Sequence, residues 1–423
     1  MVMNKVSFVF SIAFIAFLLQ GCSSSRELAN ADEGKFYSSP QLQIEPNIKI
    51  YHQNGDTSTV FVKFDTENLL YVKEDEVFEA SVILEIDPVG GVSENSLKPK
   101  EKTVSVPPIP KSKRGKKVMV KTDVILPEGG NYNLAITIRD ESNGKRVEKL
   151  INVDKSGKSD RENFLVVEAG DSIPLFGDRV KSNNTYELEF ARLKSQKVYV
   201  NYYNRSFPLP PPPFAYYEPK PFDYIPDDRF FLEADDSGKY QFTTSEEGFY
   251  HFRVDTTMKE GFTLFVSSDE FPEVQNVQNM LDPFRYLVSG KEYKQILEAS
   301  DLKSEIEKHW IDWAGDRGRA RDNIEAYYNR VERANRLFSS HLEGWKSDRG
   351  LIYIIYGEPD KVYKTAQLES WIYGEERNPL SITFRFVKVD NPFTENDFRL
   401  SREDYYKPSW YRYIEAWRNG RLY

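Results

Sequence analysis

Along this chain the spacing of apolar residues changes once, near Asp269-Glu270-Phe271-Pro272. Ahead of that point apolar and polar residues alternate, the period of a half-buried strand. Ile48–His52 and Val60–Phe64 flank Asn54-Gly55, a pair suited to the positive φ angles of a tight hairpin turn, so they predict a β-hairpin. Val77–Ile86 and Val118–Leu126 continue the alternation. Gly129-Gly-Asn-Tyr132 opens a strand running to Ile138, and Gly248-Phe-Tyr250 repeats the arrangement with a strand running to Val254. In both, a tyrosine follows a glycine turn at the start of an alternating run.

A tyrosine so placed suits the late strand of a β-sandwich, where it pins a corner. Its double occurrence predicts two immunoglobulin-like sandwich domains, at residues 39–155 and 158–269. Beyond 270 the apolar residues recur every three or four positions. That spacing predicts helices over Glu292–His309 and Arg321–Leu342, with Gly344 as the stop of the second and Arg330, Arg333 and Arg336 on its flanks beside Glu325 and Glu332. Leu351-Ile-Tyr-Ile-Ile-Tyr356 then reads as a strand buried on both faces, and strands follow at Val362-Tyr363, Ser370–Tyr373 and Ile382–Val387. All six tryptophans lie after residue 309, which sets residues 271–423 apart as an α+β domain.

The N-terminus changes the picture of where such a chain works. Lys5 precedes an apolar run, Val6–Leu19, too short to span a bilayer and suited to a signal peptide over residues 1–21. Leu19-Gln20-Gly21-Cys22 resembles a bacterial lipobox, which implies cleavage before Cys22 and acylation, palmitate included, of its thiol and new amino group. Cys22 is the only cysteine, so the mature chain is expected to carry neither a disulfide nor a free thiol. Residues 22–38 are polar and read as a tether. The expected location is the outer membrane, lipid-anchored. The net charge of −9, from 57 basic and 66 acidic residues, argues against a nucleic-acid partner.

Two stretches hold candidate interaction chemistry. Within residues 207–226, Pro210–Pro213 favour a polyproline helix flanked by Phe207, Phe214, Tyr216 and Tyr217. Such a stiff aromatic segment loses little entropy on docking, against a partner or against its own domain. The second stretch is Gly344-Trp-Lys-Ser-Asp348-Arg349-Gly350, followed by Gly357-Glu-Pro359-Asp360. Trp345, Asp348 and Arg349 suffice to lock a chain reversal; the same trio, with nearby carboxylates, would also serve a glycan. No phosphate loop, zinc-binding histidine pair or nucleophile elbow occurs. The sequence therefore assigns no catalytic residue, metal or cofactor.

In their order, these two motifs, the helix with Tyr328-Asn-Arg-Val-Glu-Arg-Ala-Asn335, and Trp371-Ile-Tyr373 resemble the GWxTD domain, with Ser347 where that signature has threonine. The resemblance covers about 275–423. It implies an envelope protein of the Bacteroidota type, often with β-sandwiches ahead of the domain, and no established activity. Ser23-Ser24-Ser25 lacks the acidic cluster of many surface-exported lipoproteins of that phylum, which favours the periplasmic face. The expectation is a non-catalytic scaffold with protein partners in an envelope assembly or secretion machine. The alternative is a glycan-binding or glycan-active protein using Trp345 or Trp371 and adjacent carboxylates.

Overall fold

The computed structural model describes residues 44, 46–74, 77–89, 101–157, 161–190, 197–216, 218–365 and 367–421. Cys22, the tether and Tyr217 lie outside the described residues.

Eight strands come first: β1 (Asn47–His52), β2 (Thr57–Asp65), β3 (Val72–Glu74), β4 (Val77–Val89), β5 (Lys102–Pro110), β6 (Lys117–Ile125), β7 (Asn131–Asp140) and β8 (Arg146–Asp154). They form two antiparallel sheets, β1-β2-β6 and β3-β4-β7-β8, with β5 also on β4. The predicted hairpin is present: Ile50 faces Val60 across the β1–β2 ladder, and Gly55 has φ 64°. Alternation places Ala80, Val82, Leu84 and Ile86 of β4 in one core with Val60, Val62 and Phe64 of β2. The two sheets therefore share one apolar layer.

A second pair of sheets follows. Its strands are β9 (Phe164–Glu168), β10 (Arg179–Lys181), β11 (Thr185–Phe190), β12 (Val198–Tyr203), β13 (Asp228–Leu232), β14 (Tyr240–Thr243), β15 (Gly248–Arg253) and β16 (Phe262–Ser267). The orders are β14-β11-β9 and β10-β16-β15-β12-β13, with β10 parallel to β16. Phe164, Leu188, Val200, Tyr240, Phe252 and Leu264 share its core. Lys49 of β1 reaches over the Phe262 ring at 5.3 Å, where the two β units meet.

Both glycine-turn tyrosines bond to backbone just upstream. Tyr132 Oη donates to Pro127 O at 2.7 Å, and Tyr250 Oη accepts from Glu246 N at 3.2 Å. Gly130 is required beside the first, because a Cβ there would lie 2.1 Å from Tyr132 Oη.

The C-terminal unit is α+β, and its helical part departs from expectation in three places. The segment read as one helix over Glu292–His309 is two, α2 (Gly290–Leu297) and α3 (Leu302–Ala314), preceded by α1 (Val277–Phe284). Ser289 and Asp301 cap α2 and α3 with their side chains, and the second cap breaks the run. The long helix, α4, spans Arg317–Phe338, starting at the Asp316 cap and stopping short of Leu342. Gly344 is thus not its stop; it lies in a separate 3-10 turn, Gly344–Lys346.

The largest correction is Leu351–Tyr356. It is no strand but the body of α5 (Asp348–Tyr356), every residue of which is buried. A helix apolar all round and a doubly buried strand share one sequence signature over so short a run. The antiparallel sheet β17 (Lys361–Lys364), β18 (Leu368–Tyr373), β19 (Ile382–Lys388) and β20 (Phe398–Leu400) follows, then α6 (Lys407–Arg418). Trp310, Tyr327, Phe338, Ile354, Trp371 and Phe386 belong to one core that joins helices and sheet.

Candidate functional site

The signature residues form the joint between α4, the 3-10 turn and α5. Backbone passes so close here that side chains are excluded. A Cβ on Gly344 would lie 1.8 Å from Ala334 O, and one on Gly350 would lie 1.9 Å from Gly344 O. Ser347 caps α5: its Oγ accepts from Gly350 N at 3.0 Å and donates to Gly344 O at 2.7 Å. Threonine, the usual residue of the signature, carries the same hydroxyl.

Trp345 is 5 % exposed and Trp371 fully buried. The Trp345 indole N–H donates to Glu343 Oε2 at 2.6 Å, its backbone N–H to Asn335 Oδ1 at 3.1 Å, and its carbonyl accepts from Tyr286 Oη at 2.8 Å. Trp371 donates to Glu369 Oε2 at 3.1 Å. Neither ring offers a face for sugar stacking.

Asp348 and Arg349, adjacent in sequence, hold different partners. Asp348 accepts from Leu400 N at 2.8 Å and pairs with Arg402 at 2.5 Å. Arg349 donates to Glu369 Oε1 at 3.0 Å and to Asn396 O at 2.9 Å, with its guanidinium 4.3 Å from the Phe398 ring centre. Asn396 in turn donates to Leu337 O at 3.2 Å and Ser339 O at 2.9 Å, at the end of α4. Two buried ion pairs thus tie the start of α5 to β18, β20 and the end of α4. The sequence offers no signal for Glu369, Asn396 or Arg402, because the partners lie 20 to 54 residues away.

The second motif bounds a cavity of about 580 Å³. Gly357 ends α5 at φ 87°, and a Cβ there would lie 2.9 Å from Arg330 Nη2. Its carbonyl accepts from Tyr373 Oη at 2.9 Å. Pro359 is buried, and Asp360 Oδ2 accepts from Gly374 N at 2.6 Å. Arg330, Tyr353, Tyr356, Glu358, Leu380 and Arg412 complete most of the lining. Arg330, read from sequence as a helix-flank charge, reaches Ile354 O at 3.2 Å. Burial pulls its guanidinium below the usual arginine range and pushes the Glu358 carboxyl and the Tyr353 and Tyr356 hydroxyls up.

The proline-rich segment lies against the chain itself. Pro213 is buried and its carbonyl accepts from Glu403 N at 3.2 Å; Pro211 O accepts from Arg402 at 3.3 Å. Phe214 packs on Tyr411 with ring centres 5.6 Å apart, Phe207 meets His341 edge-on at 5.0 Å, and Pro210 is half-buried. Of the described residues named as candidate partner contacts, only Tyr216 stands clear, at 88 % exposure. The stiffness that suits docking on a partner suits equally a strap across the second β unit and the C-terminal unit. Phe222, Phe249, Tyr203 and Phe393 form an aromatic cluster beneath it. Alongside lies a second cavity of about 550 Å³, lined by Tyr224, Arg229, His251, Lys259 and Phe393 among others.

Among the described residues no three His, Cys, Asp or Glu side chains gather as a metal site, and no helix is long and apolar enough to cross a membrane. No curated protein matches the chain. Residues 248–419, from the first residue of β15 to just past α6, match the family model of the GWxTD domain, so this part of the chain is a GWxTD domain.

Proposed function

We propose that this chain is a non-catalytic interaction scaffold, an accessory subunit of an envelope assembly such as a secretion or outer-membrane biogenesis machine. A lipid on Cys22 would hold it at the periplasmic face of the outer membrane. One observation carries the reading: the polar groups of the signature are committed within the chain. Asp348 is paired with Arg402, Arg349 with Glu369, and both tryptophan N–H groups with glutamates. A site built to turn over a substrate keeps such groups accessible to it; these hold a joint closed. The glycan alternative loses its support at Trp345 and Trp371, both buried. The upstream bonds of Tyr132 and Tyr250 favour describing both β units as immunoglobulin-like, a frame often used for display and contact.

The test is cross-linking in intact cells, followed by mild solubilisation and recovery of a C-terminally tagged full chain. The expected result is a stoichiometric complex with envelope proteins. Recovery as a monomer alone, with cross-linker present, would overturn the reading. Palmitate labelling of the full chain, lost in Cys22→Ala, checks the anchor separately.

A further inference from the structure

We propose that the second cavity, on the outer face of the five-stranded sheet, binds an acidic saccharide: a hexuronate unit whose ring lies on Tyr199 and whose carboxylate meets Arg229 and Lys259. Its volume, about 550 Å³, lies in the range of small-molecule sites. Strand register, charge and a fixed rim carry the inference.

Val198, Val200 and Tyr202 of β12 belong to the core, so Tyr199, Asn201 and Tyr203 face outward. The ladders set Tyr199 between Arg253 of β15 and Phe231 of β13, and Asn201 between His251 and Arg229. Direct cross-strand partners share a face, so these side chains surround one patch. Tyr199 is 38 % exposed. Pro392 and Phe393, from between β19 and β20, wall the cavity on another side. An open tyrosine ring among polar side chains can pack the C–H face of a sugar while the sugar hydroxyls find partners.

The charge of the lining is of one sign. Arg229, Arg253 and Lys259 line the space, and among the described residues no carboxylate lines it with them. Arg229 and Lys259 are exposed, and neither forms an ion pair within the described residues. Lys259 lies over the Tyr224 ring at 4.3 Å, and Arg253 donates to Met258 O at 3.0 Å. In a chain of net charge −9, such a wall favours an anion. The cavity beside Gly357 differs in this respect, since Glu358 and Asp360 share its wall with the arginines.

The rim is set before a ligand arrives. His251 Nε2 donates to Lys259 O at 2.8 Å; that carbonyl only accepts, so His251 Nδ1 takes the Thr263 hydroxyl at 2.9 Å. Thr257 Oγ1 donates to Asp255 Oδ1 at 2.6 Å. With the Arg253 bond, these hold the β15–β16 turn that carries Lys259, so a ligand spends little on ordering it. A bare phosphate would use the cations and leave the ring idle; a neutral sugar would do the reverse. A docking peptide in extended form needs a sheet edge for its backbone, whereas the floor here is β12, paired on both sides by β13 and β15. The inference needs no protein partner and shares no residue with the signature tryptophans.

The test is calorimetric titration of the purified full chain, at low ionic strength, with digalacturonate, its neutral counterpart galactobiose, inorganic phosphate and acetyl-Asp-Glu amide. Digalacturonate should bind at least about tenfold more tightly than the other three, as one charge-assisted bond would give. Arg229→Gln should erase the gap between the two disaccharides with no change in melting temperature, because Arg229 is exposed. Tyr199→Ala should weaken both disaccharides alike. Equal binding of the two, a gap that survives Arg229→Gln, binding untouched by Tyr199→Ala, or no heat from digalacturonate at millimolar concentration would each overturn the proposal. Tighter binding of phosphate or of the peptide would overturn it too, the latter in favour of an acidic protein segment.

Discussion

At the scale of single residues, the signature is a device for close approach. Gly344 and Gly350 let three backbone segments touch, and alanine at either would place Cβ within 2 Å of a carbonyl oxygen. Overpacking in a core costs about 1–3 kcal/mol when side chains can yield; here backbone must move, so Gly344→Ala and Gly350→Ala should each exceed that range in denaturant unfolding. Arg349→Ala should cost about 1.5–3 kcal/mol, because it removes the nearer of two cations from the buried Glu369 carboxylate, which keeps Lys364 at 3.7 Å and the Trp371 N–H. An Arg349→Ala chain melting like the parent would refute the lock. The sequence made Trp345, Asp348 and Arg349 visible as residues able to lock a reversal, but not what they lock. Their partners come from β18, the segment before β20 and Arg402, and no local spacing encodes such pairings.

Among elements, α5 is the instructive failure. Six apolar residues in a row carry no period, and β-branched isoleucines lean toward strand. The deciding information sat upstream, in a serine whose hydroxyl caps Gly350 N three residues later. Ser347→Ala should therefore cost about 1 kcal/mol, the usual worth of a cap, and Ser347→Thr much less; chemical denaturation of the pair measures the difference. The hairpin and the meander strands were legible because Asn-Gly and strict alternation are local signals, and β17, β18 and β19 fall where the alternation placed them. The cavity beside Gly357 was illegible. Arg330 belongs to α4, Tyr356 to α5, Arg412 to α6, and Leu380 to a turn, so only the packed unit brings them together.

For the whole molecule, the strap and the aromatic cluster join the second β unit to the C-terminal unit, with Arg179 of β10 donating to Ser340 O at 2.8 Å and Leu342 O at 2.6 Å. Phe214→Ser and Phe393→Ser should open this seam, read as faster limited proteolysis within 207–226 while far-ultraviolet circular dichroism holds. The same seam should respond to acid. His251 lies under Phe393, ring centres 5.0 Å apart, and burial pulls its pKa down to about 3 from the ordinary 6.5, despite the bond to Lys259 O. A depressed folded pKa means the neutral form's stability is fully present above pH 6.5 and is lost as pH falls toward 3. The loss should total on the order of 4 kcal/mol for this group, and His251→Gln should flatten the pH dependence across that window. The family match has its own bearing on this seam. It opens at residue 248, so it takes in β15 and β16 but leaves out β12 and β10, the strands that flank them. The part of the chain that recurs among proteins is therefore not a part that closes on itself: cut free at its own boundary it would carry two raw sheet edges, and a graft onto another protein would need a host able to supply the missing neighbours.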